Sequence, residues 1–258
     1  MIDPRAEIHP AARIAENVTI GPWTVIGAEV EIGAHTWIGS HVVIKGPTQI
    51  GAHNKLYQFS SIGEDPQDKK YQGEDTLLEI GDYNIIREFC TLNRGTVQGG
   101  GVTRIGNHNL LMSYVHIAHD CIIGNETIFV NNASLAGHVI VEDFAILSGF
   151  CAVRQFCTVG AHSFVTGTSS VVKDVLPFLL VAGQGGDAKP YGINTEGLKR
   201  RGFSAESINY LRRAYKVIYR HGLTVPDAII ELRSMLEECP EIQLMIDGLE
   251  KSELGIMR

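Results

Sequence analysis

The chain has 258 residues, of which 44% are hydrophobic and 20% charged, with a formal net charge of −7. These proportions fit a globular protein of one large or two modest domains, and the negative balance argues against general nucleic-acid binding, which needs a basic face. No apolar run reaches the length of a membrane span. The opening Met1-Ile2-Asp3-Pro4-Arg5 lacks the basic-then-apolar order of a secretory signal, so a cytoplasmic location is expected.

A repeat dominates the first two thirds. Stepping by six from Ile8 gives Ile14, Ile20, Ile26, Ile32, Ile38, Ile44, Ile50, Leu56 and Ile62. The phase breaks, resumes as Ile80, Ile86 and Leu92, and breaks again. It then runs from Ile105 through Leu111, Ile117, Ile123, Phe129, Leu135, Val141, Leu147, Val153, Val159 and Val165 to Val171. Every position is large and apolar. Small or β-branched residues stand four places later, as in Val18, Thr24, Val30 and Thr36, and glycine often follows directly, as in Gly21, Gly27, Gly33 and Gly39. A period of six fits neither a helix nor a flat strand. It fits short strands with a corner every six residues, stacked as a solenoid. The large residue then fills the interior, the small one packs beside it, and glycine eases the corner. Cys90, Cys121, Cys151 and Cys157 share the small phase and are read as buried side chains, not ligands or disulfides.

The breaks, at residues 63–79 and 93–104, are polar and read as loops thrown out from a regular prism, where binding faces collect. After Val171 a linker is expected over 173–190, with Gly183, Gly185 and Gly186. The solenoid domain thus spans 1–190, and a small helical domain spans 191–258. There Ser204 reads as an N-cap before Ile208, Leu211, Tyr215 and Ile218. Gly222 ends that helix, Thr224 with Pro226 opens another, and Pro240 opens a third. Such an end would cap the open edge of the solenoid.

Histidines cluster in the middle coils as His116, His119 and His138. Three hexads beyond His119 stands Gly137, followed by His138, and three further on stands Gln155. These residues should stack along one face at roughly 4.8 Å per coil. Histidine is a natural general base for a hydroxyl, Asp120 would orient it, and Gly137 leaves a backbone N–H approachable as an oxyanion donor. A bland solenoid surface and a zinc site are the competing readings. Zinc needs three nitrogens converging on one point, and His116 and His119, three apart in extended chain, tend to face opposite ways. From 199 to 220 seven Lys and Arg residues accompany one acid, Glu206. This stretch is either a solvated helix face or a landing site for phosphate or an acidic partner.

Several runs carry a resemblance: His116-Ile117-Ala118-His119-Asp120-Cys121, Asn131-Asn132-Ala133, Leu135-Ala136-Gly137-His138-Val139, Tyr57 to Glu64, Arg94-Gly95-Thr96, and Glu196 to Ser204. Together they resemble the UDP-N-acetylglucosamine O-acyltransferase family over essentially the whole chain. The resemblance implies a left-handed β-helix of three hexads per coil with a C-terminal helical domain, working as a homotrimer with sites between subunits. It implies transfer of an R-3-hydroxyacyl group from acyl carrier protein to the glucosamine 3-hydroxyl of UDP-N-acetylglucosamine, the first step of lipid A synthesis. No cofactor or metal is implied. On this resemblance the catalytic base falls on His119 with Asp120 beside it, and the oxyanion glycine on Gly137. Sugar and acyl contacts fall on Asp68, Lys70, His116, His138 and Gln155, and nucleotide contacts on Asn194, Glu196, Arg200 and Arg201. Gly167 lies in the stretch that measures acyl length, and leaves room for a long chain. The chain departs from the family at Arg154 and Asn93, where histidine is usual, and in a longer linker containing Asp187. Other hexapeptide acyltransferases remain open, among them CoA-dependent ones and the N-acyltransferase of the same pathway. That last enzyme usually has an extra N-terminal domain, whereas here the repeat begins at Ile8. A metal-dependent hydratase or non-catalytic scaffold also remains open.

Overall fold

The hexads fold as strands of two to four residues that alternate among three sheets, which among the described residues have nine, eight and ten strands and are parallel except for the last strand of the third. This computed structural model describes residues 1–183 and 188–258. Glu7 lies beside Val25, Arg13 beside Glu31 and Thr19 beside Trp37, so one coil is three hexads. The three sheets form the faces of a left-handed β-helical prism. The strand Glu7–Ile8 starts the first face, Arg13–Ile14 the second and Thr19–Ile20 the third.

Core residues of the repeat point inward and are buried from Ile20 to Val171, while Ile8 and Ile14, in the opening coil, are partly buried. Each fully buried side chain of this size contributes about 1.5–3 kcal/mol. The small phase, including Val18, Thr24, Val30 and the four cysteines, is buried beside them. All five thiols of the chain are free.

Glycine does a different job from the one expected. The corners take left-handed backbone at non-glycine residues two places after it, such as Trp23 (φ 56°), Glu29 (58°) and His35 (60°). The glycines themselves serve close stacking of coils. A Cβ on Gly21 would lie 2.7 Å from the Gly39 carbonyl carbon, and one on Gly33 would lie 2.5 Å from that of Gly51. Left-handed backbone costs a non-glycine residue about 1–2 kcal/mol, and side-chain stacking offsets it. Along the third-to-first corner Trp23, His41, Phe59, Phe89 and Tyr114 stack at ring spacings of 5.0, 5.5, 5.1 and 4.7 Å.

The expected loops are shorter than the broken phase suggests. Strands Ser61–Glu64, Leu77–Ile80, Thr91–Asn93 and Val102–Ile105 leave irregular excursions at 65–76 and 94–101. Within the expected linker, Leu179–Ala182 adds a parallel strand to the third face. Lys189–Ile193 returns antiparallel beside it and closes that edge. Gly185, Gly186 and Asp187 lie outside the described residues.

Four helices follow: α1 (Thr195–Arg200), α2 (Ala205–Arg220), α3 (Val225–Arg233) and α4 (Ile242–Lys251). Ser204 caps α2, its Oγ accepting the Ser207 N–H at 2.9 Å, and Thr224 caps α3. Gly222 takes the left-handed conformation just past α2. The helix expected from Pro240 begins at Ile242, with Pro240 in the preceding turn. Helix α1 has no counterpart in the sequence expectation.

The helices join the prism at its second-to-third corner. There the His162 ring lies between Phe144 and Phe178 at 4.6 and 5.5 Å, with Phe203 against its edge. Burial, helped by the Arg201 charge, pushes the His162 imidazole down from 6.5 to about 4. The unfolded chain therefore takes up this proton first as pH falls below 6.5, and the contribution to stability present at neutral pH is lost on the way to about 4. His162→Phe keeps the ring stack and removes the titration. Its melting temperature should fall less than the wild type's between pH 7 and pH 5, and equal losses would refute this account.

Candidate active site

Both excursions leave the prism at its first-to-second corner, in successive coils. The next coils carry His119 with Asp120, then Gly137 with His138, then Gln155 with Phe156 at the same corner. The His138 N–H donates to the His119 carbonyl at 3.0 Å and the Phe156 N–H to the Gly137 carbonyl at 3.3 Å, as the repeat arithmetic requires. A stack of polar side chains thus rises directly above two polar loops.

The His119 ring is fixed by Asp120, whose Oδ2 lies 2.7 Å from His119 Nδ1. An ionised carboxylate only accepts hydrogen bonds, so Nδ1 carries the proton and Nε2 keeps a free lone pair. The Asp120 side chain is 1% exposed and that of His119 13%. Thr96, in the second excursion, donates its N–H to Asp120 Oδ1 and its hydroxyl to Oδ2, each at 2.7 Å. The Asp120 N–H donates to Thr103 Oγ1 at 2.8 Å. Burial alone would raise the Asp120 carboxyl, but the bonds from His119 and Thr96 outweigh it and hold the group below its ordinary value.

Gly137 faces the His119 ring so closely that a Cβ there would lie 2.5 Å from Cε1 and 2.8 Å from Nε2. Among the described residues nothing accepts its N–H. His138 packs edge-on to His119 at 5.2 Å and stacks on Phe156 at 4.5 Å. Its Nε2 is 3.6 Å from Asp120 Oδ2. Burial holds the His138 imidazole below its usual value, against the opposing pull of Asp120. His116 stands on the first face one strand before the corner, its Nδ1 2.7 Å from Thr91 Oγ1. Burial, reinforced by His119, lowers it as well. From the first excursion Asp68 reaches toward His138 electrostatically and accepts the Lys70 N–H at 2.9 Å. Lys70 and Gln155 are exposed, as is Arg154 beside Gln155.

The two excursions are tied together by residues that sequence reasoning did not single out for this role. Arg94 is 5% exposed. It donates to the Gly63 carbonyl and the Tyr71 hydroxyl and pairs with Asp65. Asn93 donates to the Asp65 carbonyl at 2.8 Å. Thr96 and Thr103 were likewise unassigned. Thr103 shares the small phase of the hexads, and Thr96 belongs to the Arg94-Gly95-Thr96 run, but no period links either to Asp120.

The other expected contacts lie elsewhere on the chain. Gly167 sits at the third-to-first corner, across the first face from His119. Asn194 caps α1 and donates to the His162 carbonyl at 3.0 Å. Glu196 pairs with Lys199 at 2.9 Å, Arg200 is exposed, and the Arg201 guanidinium lies 4.1 Å from the Phe144 ring centroid. These four gather at the second-to-third corner, away from His119 within one chain. His119, Asp120 and His138 offer ligand atoms within 4.8 Å of one another, a set of two imidazoles and a carboxylate in place of the three histidines weighed from the sequence.

Residues 103–137 match the family model for bacterial transferase hexapeptide repeats, and residues 174–257 match domain 2 of UDP-N-acetylglucosamine O-acyltransferase. The chain is 62% identical over 258 residues to the acyl-[acyl-carrier-protein]–UDP-N-acetylglucosamine O-acyltransferase of Thiobacillus denitrificans, covering 100% of this chain and 99% of that one. It superposes on the LpxA structure from Acinetobacter baumannii with a TM-score of 0.97 at 49% identity, covering 100% of this chain and 99% of that one. The UDP-N-acetylglucosamine acyltransferase structure from Francisella novicida gives a TM-score of 0.98 at 45% identity, covering 100% and 94%. With identities this high over its whole length, the chain belongs to the UDP-N-acetylglucosamine O-acyltransferase family.

Proposed function

We propose that the chain transfers an R-3-hydroxyacyl group from acyl carrier protein to the 3-hydroxyl of UDP-N-acetylglucosamine, opening lipid A synthesis, with His119 as general base. The observation that carries this reading is the 2.7 Å contact of His119 Nδ1 with Asp120 Oδ2, which leaves Nε2 to accept a proton. Nε2 takes the proton of the sugar hydroxyl as its oxygen attacks the thioester carbonyl. The Gly137 N–H receives the developing oxyanion. Collapse breaks the carbon–sulfur bond, and the imidazolium returns its proton to the departing thiolate. Asp68, Lys70, His116, His138 and Gln155 flank the dyad and are assigned to sugar and acyl contacts. Gly167, at the far edge of the first face, is assigned to the end of the acyl chain.

The remaining assignments depend on a homotrimer. Asn194, Glu196, Arg200 and Arg201 would contact nucleotide at a site shared with another subunit, because their corner is not that of His119 in the same chain. Trp23, Phe59, Tyr114 and Phe150 are 52%, 51%, 53% and 67% exposed along one corner, an apolar stripe suited to burial against a second copy. The exposed cations of α2, Arg212, Arg213, Lys216 and Arg220, suit an acidic carrier protein. A cytoplasmic location belongs to the same proposal, and five free, buried thiols accord with a reducing compartment. No helix is long and apolar enough to cross a membrane among the described residues.

Metal-assisted chemistry is the second reading, because of the His119, Asp120 and His138 set. Acid–base use is favoured because both Asp120 oxygens already accept hydrogen bonds. Incubation with UDP-N-acetylglucosamine and a panel of hydroxyacyl carrier proteins and acyl-CoAs, with products weighed, tests the proposal. The expected product is an ester from the carrier-protein donors. Product from CoA donors alone, or activity abolished by removing stoichiometric zinc, would overturn it.

A further inference from the structure

The second excursion meets the His119–Asp120 pair at one residue. Thr96 is 2% exposed, and both its donors are directed at the Asp120 carboxylate. A hydroxyl has a single proton. That of Thr96 goes to Oδ2, the oxygen that also holds His119 Nδ1, while its lone pair accepts the Gly99 N–H at 3.2 Å. The threonine rotamer is therefore held from both sides. The carboxylate cannot turn without breaking both Thr96 bonds, and its backbone is anchored separately by Thr103. The short turn Val97–Gly99 closes over the carboxylate so tightly that a Cβ on Gly99 would lie 2.0 Å from Asp120 Cγ. Two residues before Thr96, buried Arg94 fastens this loop to Asp65 and Tyr71 of the first excursion and to Gly63 in the strand before it.

We propose that Thr96 is a positioning residue for acyl transfer, which through Asp120 fixes the tautomer and aim of His119, and that Arg94 holds Thr96 in place against the first excursion. The proposal rests on His119 acting as the base. The bond geometry at Asp120 carries it: removing the Thr96 hydroxyl takes the second donor from Oδ2 and leaves Thr96 holding the carboxylate only through its N–H at Oδ1, free to pivot about that bond. The imidazole then loses the orientation that presents Nε2 outward, with no substrate contact altered.

Thr96→Val, Thr96→Ala, Thr96→Ser and His119→Ala, each checked for native secondary structure and assembly mass, test it. Thr96→Val and Thr96→Ala should lose roughly ten- to a hundredfold in kcat with KM within about threefold, the size expected for a hydrogen bond to a charged group. Thr96→Ser keeps both donors and should restore most of the wild-type kcat. The His119 Nδ1 proton resonance should be seen in the wild type and Thr96→Ser and be lost in the other two Thr96 variants. If His119→Ala is inactive while the Val and Ala variants keep wild-type kcat, or lose only KM, the positioning role is refuted and the base assignment stands. If His119→Ala retains turnover, the base assignment fails and this proposal fails with it.

Discussion

His119→Ala should lower kcat by about two to four orders of magnitude, the usual worth of a positioned general base. The fold should survive. The His119 side chain lies outside the core, and the left-handed backbone of the corner belongs to Asp120 (φ 61°). Removing the ring leaves the Asp120 carboxylate with its two Thr96 bonds, so the corner keeps its anchor. His138 does not replace the lost base. Its Nε2 faces Asp120 at 3.6 Å, and its ring is held against Phe156. Single-turnover assays with acyl carrier protein donor, alongside a thermal melt, check this. A folded variant turning over within tenfold of wild type would remove His119 from the mechanism.

A six-residue period encodes only what every coil shares. Ile20, Ile26 and Ile32 share one phase because each coil buries the same side chain, so the scaffold and its register are written locally. The same register places His119, Gly137 and Gln155 in one column, and hydrogen bonds between neighbouring coils confirm that column. Thr96 and Arg94 lie in a break of the repeat, where no phase says which side chain meets which. Their partners, Asp120, Asp65 and Tyr71, are more than twenty residues away. The glycines mislead for a related reason. Gly21 and Gly33 are spaced like corner residues, but the constraint on them comes from the next coil and not from their own backbone. The strand Lys189–Ile193 was hidden as well, because Pro190 and Gly192 read as linker until an open sheet edge lies beside them. No period shows that the Asn194 side chain caps α1 and reaches the His162 carbonyl, since both partners are set by how the helices meet the prism.

Gly137→Ala separates two uses of one residue. The oxyanion role needs only the backbone N–H, which alanine keeps. The spatial role needs the missing Cβ, which would sit 2.5 Å from His119 Cε1 and 2.8 Å from Nε2. Gly137 is not among the positive-φ residues, so alanine fits its backbone. The clash therefore falls on the His119 ring, whose Nδ1 is tied to Asp120 and would itself lie 3.0 Å from the added Cβ. The ring must shift or the bond to Asp120 must open. Displacing a reacting group by about an ångström costs on the order of a hundredfold in rate. The expected result is a fall of roughly that size in kcat with the melting temperature nearly unchanged, since the substitution sits on an outer corner. If Gly137→Ala instead turns over at close to the wild-type rate, His119 has room that the structure denies it, and Nε2 is not held where the proposed proton transfer needs it.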